Sequence, residues 1–321
     1  MVEQAGRRAQ LRDKLLLGAL YTSFFCLVFV FAVYWTFPYE RLRDYVAEKL
    51  TAQTPTGNRS VELGELTPVG FGGVRVRDLS IVQTSSAPDS SPSELHVSEV
   101  NASVSVLQLL LGNKKLALEA RAGKGTIEGK FDQSGDTQHI EAELKAVDVG
   151  EMGLGSWVTL PLKGKATGKI DLRLPTDPTK ATGSIKLEIK GLKVGDGKAK
   201  VKPPGMPAGL TLDEVDAGKL ELSVEVRDGV ATLTRFSTDG KDLKLTGTGN
   251  VRLADPLKRS RPDLNLDLTF SEAYKNKSDR TKAMFELLGL RPEWQRATTP
   301  DGTMHVHVGG TFLAIRGGPG R

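Results

Sequence analysis

The chain has 321 residues, 35 of them glycine, with 39% hydrophobic and 6% aromatic residues and a formal charge of +5. That length admits two domains, but so little apolar and aromatic material argues against a thick multilayer core, the more so if a membrane segment draws on the same supply. Acids and bases are interleaved along the sequence rather than gathered into one basic face, which argues against nucleic-acid binding.

In chain order, residues 1–14 form a short flank in which Arg7, Arg8, Arg12 and Lys14 outnumber Glu3 and Asp13. Leu15 to Phe37 then runs 23 residues without a charge, about 34 Å as a helix and enough to cross a bilayer core. The pattern predicts a single transmembrane helix over 15–37, anchored by residues such as Leu16, Phe24, Phe29 and Trp35, with a cytoplasmic N-terminus and everything that follows outside. Its end, AVYWTF, lacks a small-x-small cleavage pattern, so the segment reads as an uncleaved anchor. The only cysteine, Cys26, lies inside it, and an exported part without disulfides fits a bacterial periplasm better than an animal cell surface. Residues 38–60 are expected as a juxtamembrane helix and linker, with Leu42, Val46 and Leu50 on one helical stripe.

From 61 to 315 the period changes to two, and a periplasmic β-rich domain is expected, ending in a flexible tail over 316–321. VRVRDLSIV opens the strands, and the run TSSAPDSSPS reads as a loop. A strand then ends in the apolar turn Val106 to Leu111 before a new strand begins at Leu116. The sequence KATGKIDLRL, from Lys165, returns after PTDPT as KATGSIKLEI. In the first copy Ile170, Leu172 and Leu174 alternate with charges, and in the second Ile185, Leu187 and Ile189 do, so the pair predicts a hairpin with one apolar and one solvated face. After Gly191 the apolar parity switches to Leu192 and Val194, which requires a bulge or bend. Leu220 to Val226 alternates in the same way and meets Asp228-Gly229, a tight-turn pair. Later strands are expected around Leu243, Val251, Leu264 to Phe270 and Met304 to Val308, with a short helix between, capped by Ser278 and ended by Gly289. Few segments are apolar on both faces, so the fold class is mainly β, one long antiparallel sheet with a few short helices.

Catalytic groups are not in view. His305 and His307 share a strand face, but two ligands do not make a metal site, and His96 and His139 are distant in sequence. Asp213, Glu214 and Asp216, before a strand, read as solubilising charges. GDGK at Gly195 lacks the spacing of a phosphate loop. The expectation is a protein that is not an enzyme and takes no cofactor.

FGGVRVRDLSIV with the strand, LLLG turn and strand after it resembles the AsmA-like superfamily of membrane-anchored β-sheet proteins. Together with LPLKGKATGKIDLRLPTDPTKATGSIKLEIKGLKVGDGK, it resembles the protein N family of the type II (general) secretion pathway, in the divergent forms found in bacteria such as myxobacteria. The resemblance covers most of the chain, from the anchor to the Val251 region. It implies a curved sheet forming a trough, held at the inner membrane as a noncatalytic part of the secretion machine and contacting other secretion subunits. The alternative it implies is a periplasmic lipid-binding or lipid-transfer protein with phospholipid against the apolar face. On either reading Ile170, Leu172, Leu174, Ile185, Leu187 and Ile189 are the candidate face for partner or lipid, and the third alternative is that this face closes only on the protein's own core.

Overall fold

The computed structural model describes residues 20–25, 28–29, 31–32, 35–36, 39–52, 59–70, 72–83, 93–105, 108–109, 111–150, 160–198, 200–201, 210–211 and 213–320. The chain divides into two compact units, Met1–Val46 and Ala47–Arg321. Helix α1, Tyr39–Ala52, matches the helix expected after the apolar run.

The membrane-spanning helix expected over 15–37 is not found: among the described residues, no helix is long and apolar enough to cross a membrane. The described residues 20–25, 28–29, 31–32 and 35–36 are helical, and Leu16 lies outside the described residues. Phe24, Phe29 and Trp35 are helical and 65%, 59% and 76% exposed. The single-pass inner-membrane topology is corrected accordingly.

Among the described residues, fifteen strands make one antiparallel sheet whose spatial order follows the chain. Strands β1 (Arg59–Leu63) and β2 (Leu66–Val69) both pair with β3 (Gly73–Gln83). Then follow β4 (Ser93–Val104), β5 (Lys114–Ala122), β6 (Gly125–Ser134), β7 (Thr137–Asp148), β8 (Leu162–Pro175) and β9 (Thr182–Val194). The two-residue strands β10 (Lys200–Val201) and β11 (Leu210–Thr211) pair only with each other. The large sheet resumes with β12 (Val215–Arg227), β13 (Val230–Thr238), β14 (Leu243–Arg252), β15 (Arg261–Phe270), β16 (Thr303–Thr311) and β17 (Ala314–Pro319). From β3 onward each strand of the large sheet pairs antiparallel with the next of its strands along the chain, so local alternation and turn chemistry order most of the sheet. At Asp228-Gly229 both residues take positive φ, 49° and 71°, as a tight two-residue turn between twisted strands demands.

Between β15 and β16 lie α2 (Glu272–Lys275), α3 (Asp279–Gly289) and α4 (Pro292–Ala297). Ser271 caps α2 through Tyr274 N, and Ser278 caps α3 through Thr281 N. The final strand differs from expectation: Arg316 to Pro319, read as tail from its glycines and proline, pairs with β16. An edge strand has a row of backbone groups facing away from the sheet, so its proline forfeits no ladder bond.

Among the described residues, buried apolar side chains form three small clusters. One joins Val149, Ala166, Ile189, Leu192 and Ala217. A second holds Ala122, Leu144 and Val147. The third holds Ala181, Val226 and Ala231. This is a sheet with local closures, in keeping with the limited supply of apolar residues.

Candidate functional site

The repeat forms the β8–β9 hairpin in antiparallel register, with Ile170 opposite Ile185, Leu172 opposite Gly183, Gly168 opposite Leu187 and Ala166 opposite Ile189. Because the copies run in opposite directions, their equivalent alanines land at opposite ends: Ala166 in the first cluster and Ala181 in the third, at 0% and 1% exposure. Small side chains let both ends close. The tip between the copies is a 3-10 turn, Pro178–Lys180, capped by Asp177, whose carboxylate accepts from Thr179 N at 3.0 Å.

The bend required after the second copy is present. Lys165 faces Lys190 and Lys163 faces Lys193, so β9 carries an extra residue, and Gly191 there has φ 63°. The extra residue turns Leu192 back to the face of Ile189, and both are buried in the first cluster. Gly183 is held by crowding as well as by φ 148°: a Cβ there would lie 2.1 Å from Asp171 O.

All six expected face residues lie on one side of the hairpin, but they serve different closures. Ile189 is buried in the first cluster, with Leu187 packed against it. Ile170 packs against the second, and Leu172 and Leu174 against the third. Ile185 belongs to none of these clusters; it and the other four outside Ile189 are only half-buried. The same face continues in register on both sides. Leu144, Gly168, Leu187 and Leu222 make one row across β7, β8, β9 and β12, and Ala142, Ile170, Ile185 and Val224 another. Toward the N-terminal edge, Val104, Leu116 and Leu118 are 36%, 38% and 37% exposed.

The opposite side is charged. Lys219 Nζ lies 2.9 Å from Glu188 and 2.7 Å from Glu221, and Arg235 Nε lies 2.6 Å from Glu221. The flanking carboxylates raise the Lys219 pKa, and its ammonium lowers that of Glu188. Exposed pairs of this kind stabilise weakly, but they penalise strand slippage and keep the face in water.

On this polar side His139 Nε2 stands 2.9 Å from Asp171 Oδ1 and 3.5 Å from Glu141 Oε1. This group was not anticipated. Its only local sequence signal is a His-x-Glu on one strand, and the aspartate joins through register, opposite Glu141 on β8. The histidine pair that does stand out in sequence does not converge: His305 Nδ1 meets Asp267 at 2.6 Å and His307 Nδ1 meets Asn265 at 3.2 Å.

Asp213 and Glu214 are more than the solubilising charges expected. Glu214 receives Lys163 at 2.7 Å and Lys193 at 2.9 Å, and these two ammonium groups lower its pKa to about 2. The Asp213 carboxylate accepts from the hydroxyls of Ser278 and Thr281, which lower its pKa, and its backbone carbonyl accepts from Tyr274 at 2.9 Å. These bonds fasten the helical insert to the start of β12.

No known family model, curated protein or solved structure matches the chain. The expected role as an inner-membrane component of the type II secretion apparatus, and the periplasmic lipid-transfer alternative, both assumed an anchor in the membrane. With no helix long and apolar enough among the described residues, both are corrected to what the structure carries: a mainly β domain built on a long, open antiparallel sheet with a few short helices.

Proposed function

We propose that the chain is a noncatalytic binding protein of AsmA-like build whose apolar sheet face receives a layer of apolar side chains from a protein partner. The observation that carries this reading is the continuity of the apolar rows across β7, β8, β9 and β12 while their side chains, Leu144 apart, stay half-buried. Leucine knobs alternate with bare backbone at Gly168 and Gly183, a relief suited to side chains interdigitating from a second β layer. Burying apolar surface at roughly 25 cal/mol per Å² makes such a face a binding surface wherever nothing else covers it.

A photoreactive phenylalanine at Ile185 or Leu187 in intact cells should capture one discrete protein, while the same probe at Lys186, on the charged side, should not. Ile170→Lys, checked for an unchanged circular dichroism spectrum, should abolish the adduct. Lipid as the sole adduct, or capture from both faces alike, would overturn the reading.

A further inference from the structure

We infer that His139, Glu141 and Asp171 form a binding site for a divalent transition metal of the zinc class, on the face opposite the one assigned to the protein partner. One donor atom from each residue lies within 4.8 Å of the other two. Tetrahedral zinc, with bonds of about 2.1 Å to nitrogen and oxygen, holds neighbouring donors about 3.4 Å apart. The Nε2 to Glu141 separation, 3.5 Å, is already at that value, and the 2.9 Å to Asp171 needs to open by only a few tenths of an ångström.

The charges make the case independently of the distances. Glu141 and Asp171 are direct partners in the β7–β8 ladder, an arrangement in which like charges destabilise a sheet. Lys130 faces Glu141 across the β6–β7 ladder and Arg173 faces His139 across β7–β8, yet among the described residues neither basic group forms an ion pair with the trio. On the neighbouring strands β5 to β7 carboxylates meet lysine, as Glu128 does Lys145 at 2.6 Å and Asp132 does Lys115 at 2.9 Å. Among the described residues His139 is the only partner of either carboxylate, and it turns a single nitrogen, Nε2, to both. A dication bound by the neutral imidazole matches both charges and takes all three donors. Nitrogen and oxygen donors without thiolate suit zinc and its neighbours.

Space and access are adequate. A cavity of about 480 Å³ is lined by His139, Glu141, Lys130 and Asp132, and another of about 350 Å³ by Asp171 and Arg173. The Asp171 and Glu141 side chains are 58% and 46% exposed, so a remaining coordination position would be open to water. The strands fix the ligands, which are two residues apart on β7 and one step across on β8.

The test is a titration of the full, tag-free chain in detergent with Co²⁺ alone, followed in the visible spectrum, and then displacement by Zn²⁺. One saturable equivalent, bleached by Zn²⁺, is expected. His139→Gln, Glu141→Gln and Asp171→Asn should each lose it, while the double change His305→Gln with His307→Gln should keep it. Metal-free Asp171→Asn should unfold at or above the wild-type temperature, because a charge facing Glu141 is gone. No saturable spectrum in the wild type, its survival in His139→Gln, or a lowered unfolding temperature in metal-free Asp171→Asn, the mark of a purely structural hydrogen bond, would each overturn the assignment. None of these results touches the opposite apolar face, so the two readings stand or fall separately.

Discussion

The start of β12 and the N-terminal half of the sheet use the same alternating grammar and end in different states. At the start of β12, Val149, Ala166 and Ala217 are sealed to 1% exposure or less, and Tyr274, also at 1%, stacks on Phe270 at 5.6 Å with Phe285 edge-on to both. Across β4 and β5, Val104, Leu116 and Leu118 are more than one-third exposed. The first region closes on its own strands, Leu162, Leu187, Val194, Leu220 and Leu243 packing against its buried cluster, and the helical insert is fastened beside it by bonds from Tyr274 and Thr281 to Asp213, residues 61 and 68 positions apart. Alternation makes a face apolar; what packs against it decides whether that face is a core.

The largest test of this contrast removes the insert's anchor. Tyr274→Ala should destabilise the sheet domain by about 3–5 kcal/mol, the usual range for deleting a buried aromatic ring. Leu118→Ala, on the open part, should lower stability by about 1 kcal/mol or less, since its side chain is already partly in water. Denaturant midpoints measure both, and equal shifts would erase the distinction. Within the repeat, Ile189→Ala should cost about 2–4 kcal/mol and Leu187→Ala about half as much, because only the isoleucine is fully buried.

The sheet itself was legible in the sequence because each hairpin is local. Ile170, Leu172 and Leu174 against Ile185, Leu187 and Ile189 define the β8–β9 face, and the parity break at Gly191 demands the bulge that the register shows. What sequence could not supply was anything set by long-range register. Asp171 meets His139 from 32 positions away, and Glu214 meets Lys163 from 51. The uncharged run misled in the opposite way: composition speaks of hydrophobicity alone, and among the described residues no helix is long and apolar enough to cross a membrane. The tail misled because a glycine-rich strand has little signal of its own and forms only because β16 offers an edge.

The attachment of the insert gives effects of intermediate size. Asp213→Asn should cost about 1–2 kcal/mol, as two hydroxyl donors lose a charged acceptor. Glu214 gives a pH signature. Its folded pKa, about 2, lies below its ordinary value of 4.5, so its contribution is fully present above pH 4.5 and is lost as pH falls from there toward 2. Solvent screening at a surface pair limits that contribution to about 1 kcal/mol. Stability measured from pH 5 to pH 2.5 should fall less steeply in Glu214→Gln than in the wild type; identical slopes would show that the lysines do not hold this carboxylate.

The smallest expected effect is the sharpest test of sidedness. Lys186 is exposed on the charged side and lies directly opposite Lys169 in the β8–β9 ladder, with Ser223 opposite it on β12. Reversing its charge replaces a like pair by an opposite pair, so Lys186→Glu should be neutral or stabilising by about 0.2–0.5 kcal/mol. Its chain neighbour Leu187 points to the other face, packs against the Ile189 cluster, and should lose several kcal/mol as Leu187→Lys, because an ammonium would be placed among desolvated side chains. Adjacent residues should therefore respond with opposite signs and about tenfold different magnitudes in the same unfolding assay. If Lys186→Glu were as damaging as Leu187→Lys, the charged side would itself be covered, and the apolar face would lose its claim to be the side that awaits a partner.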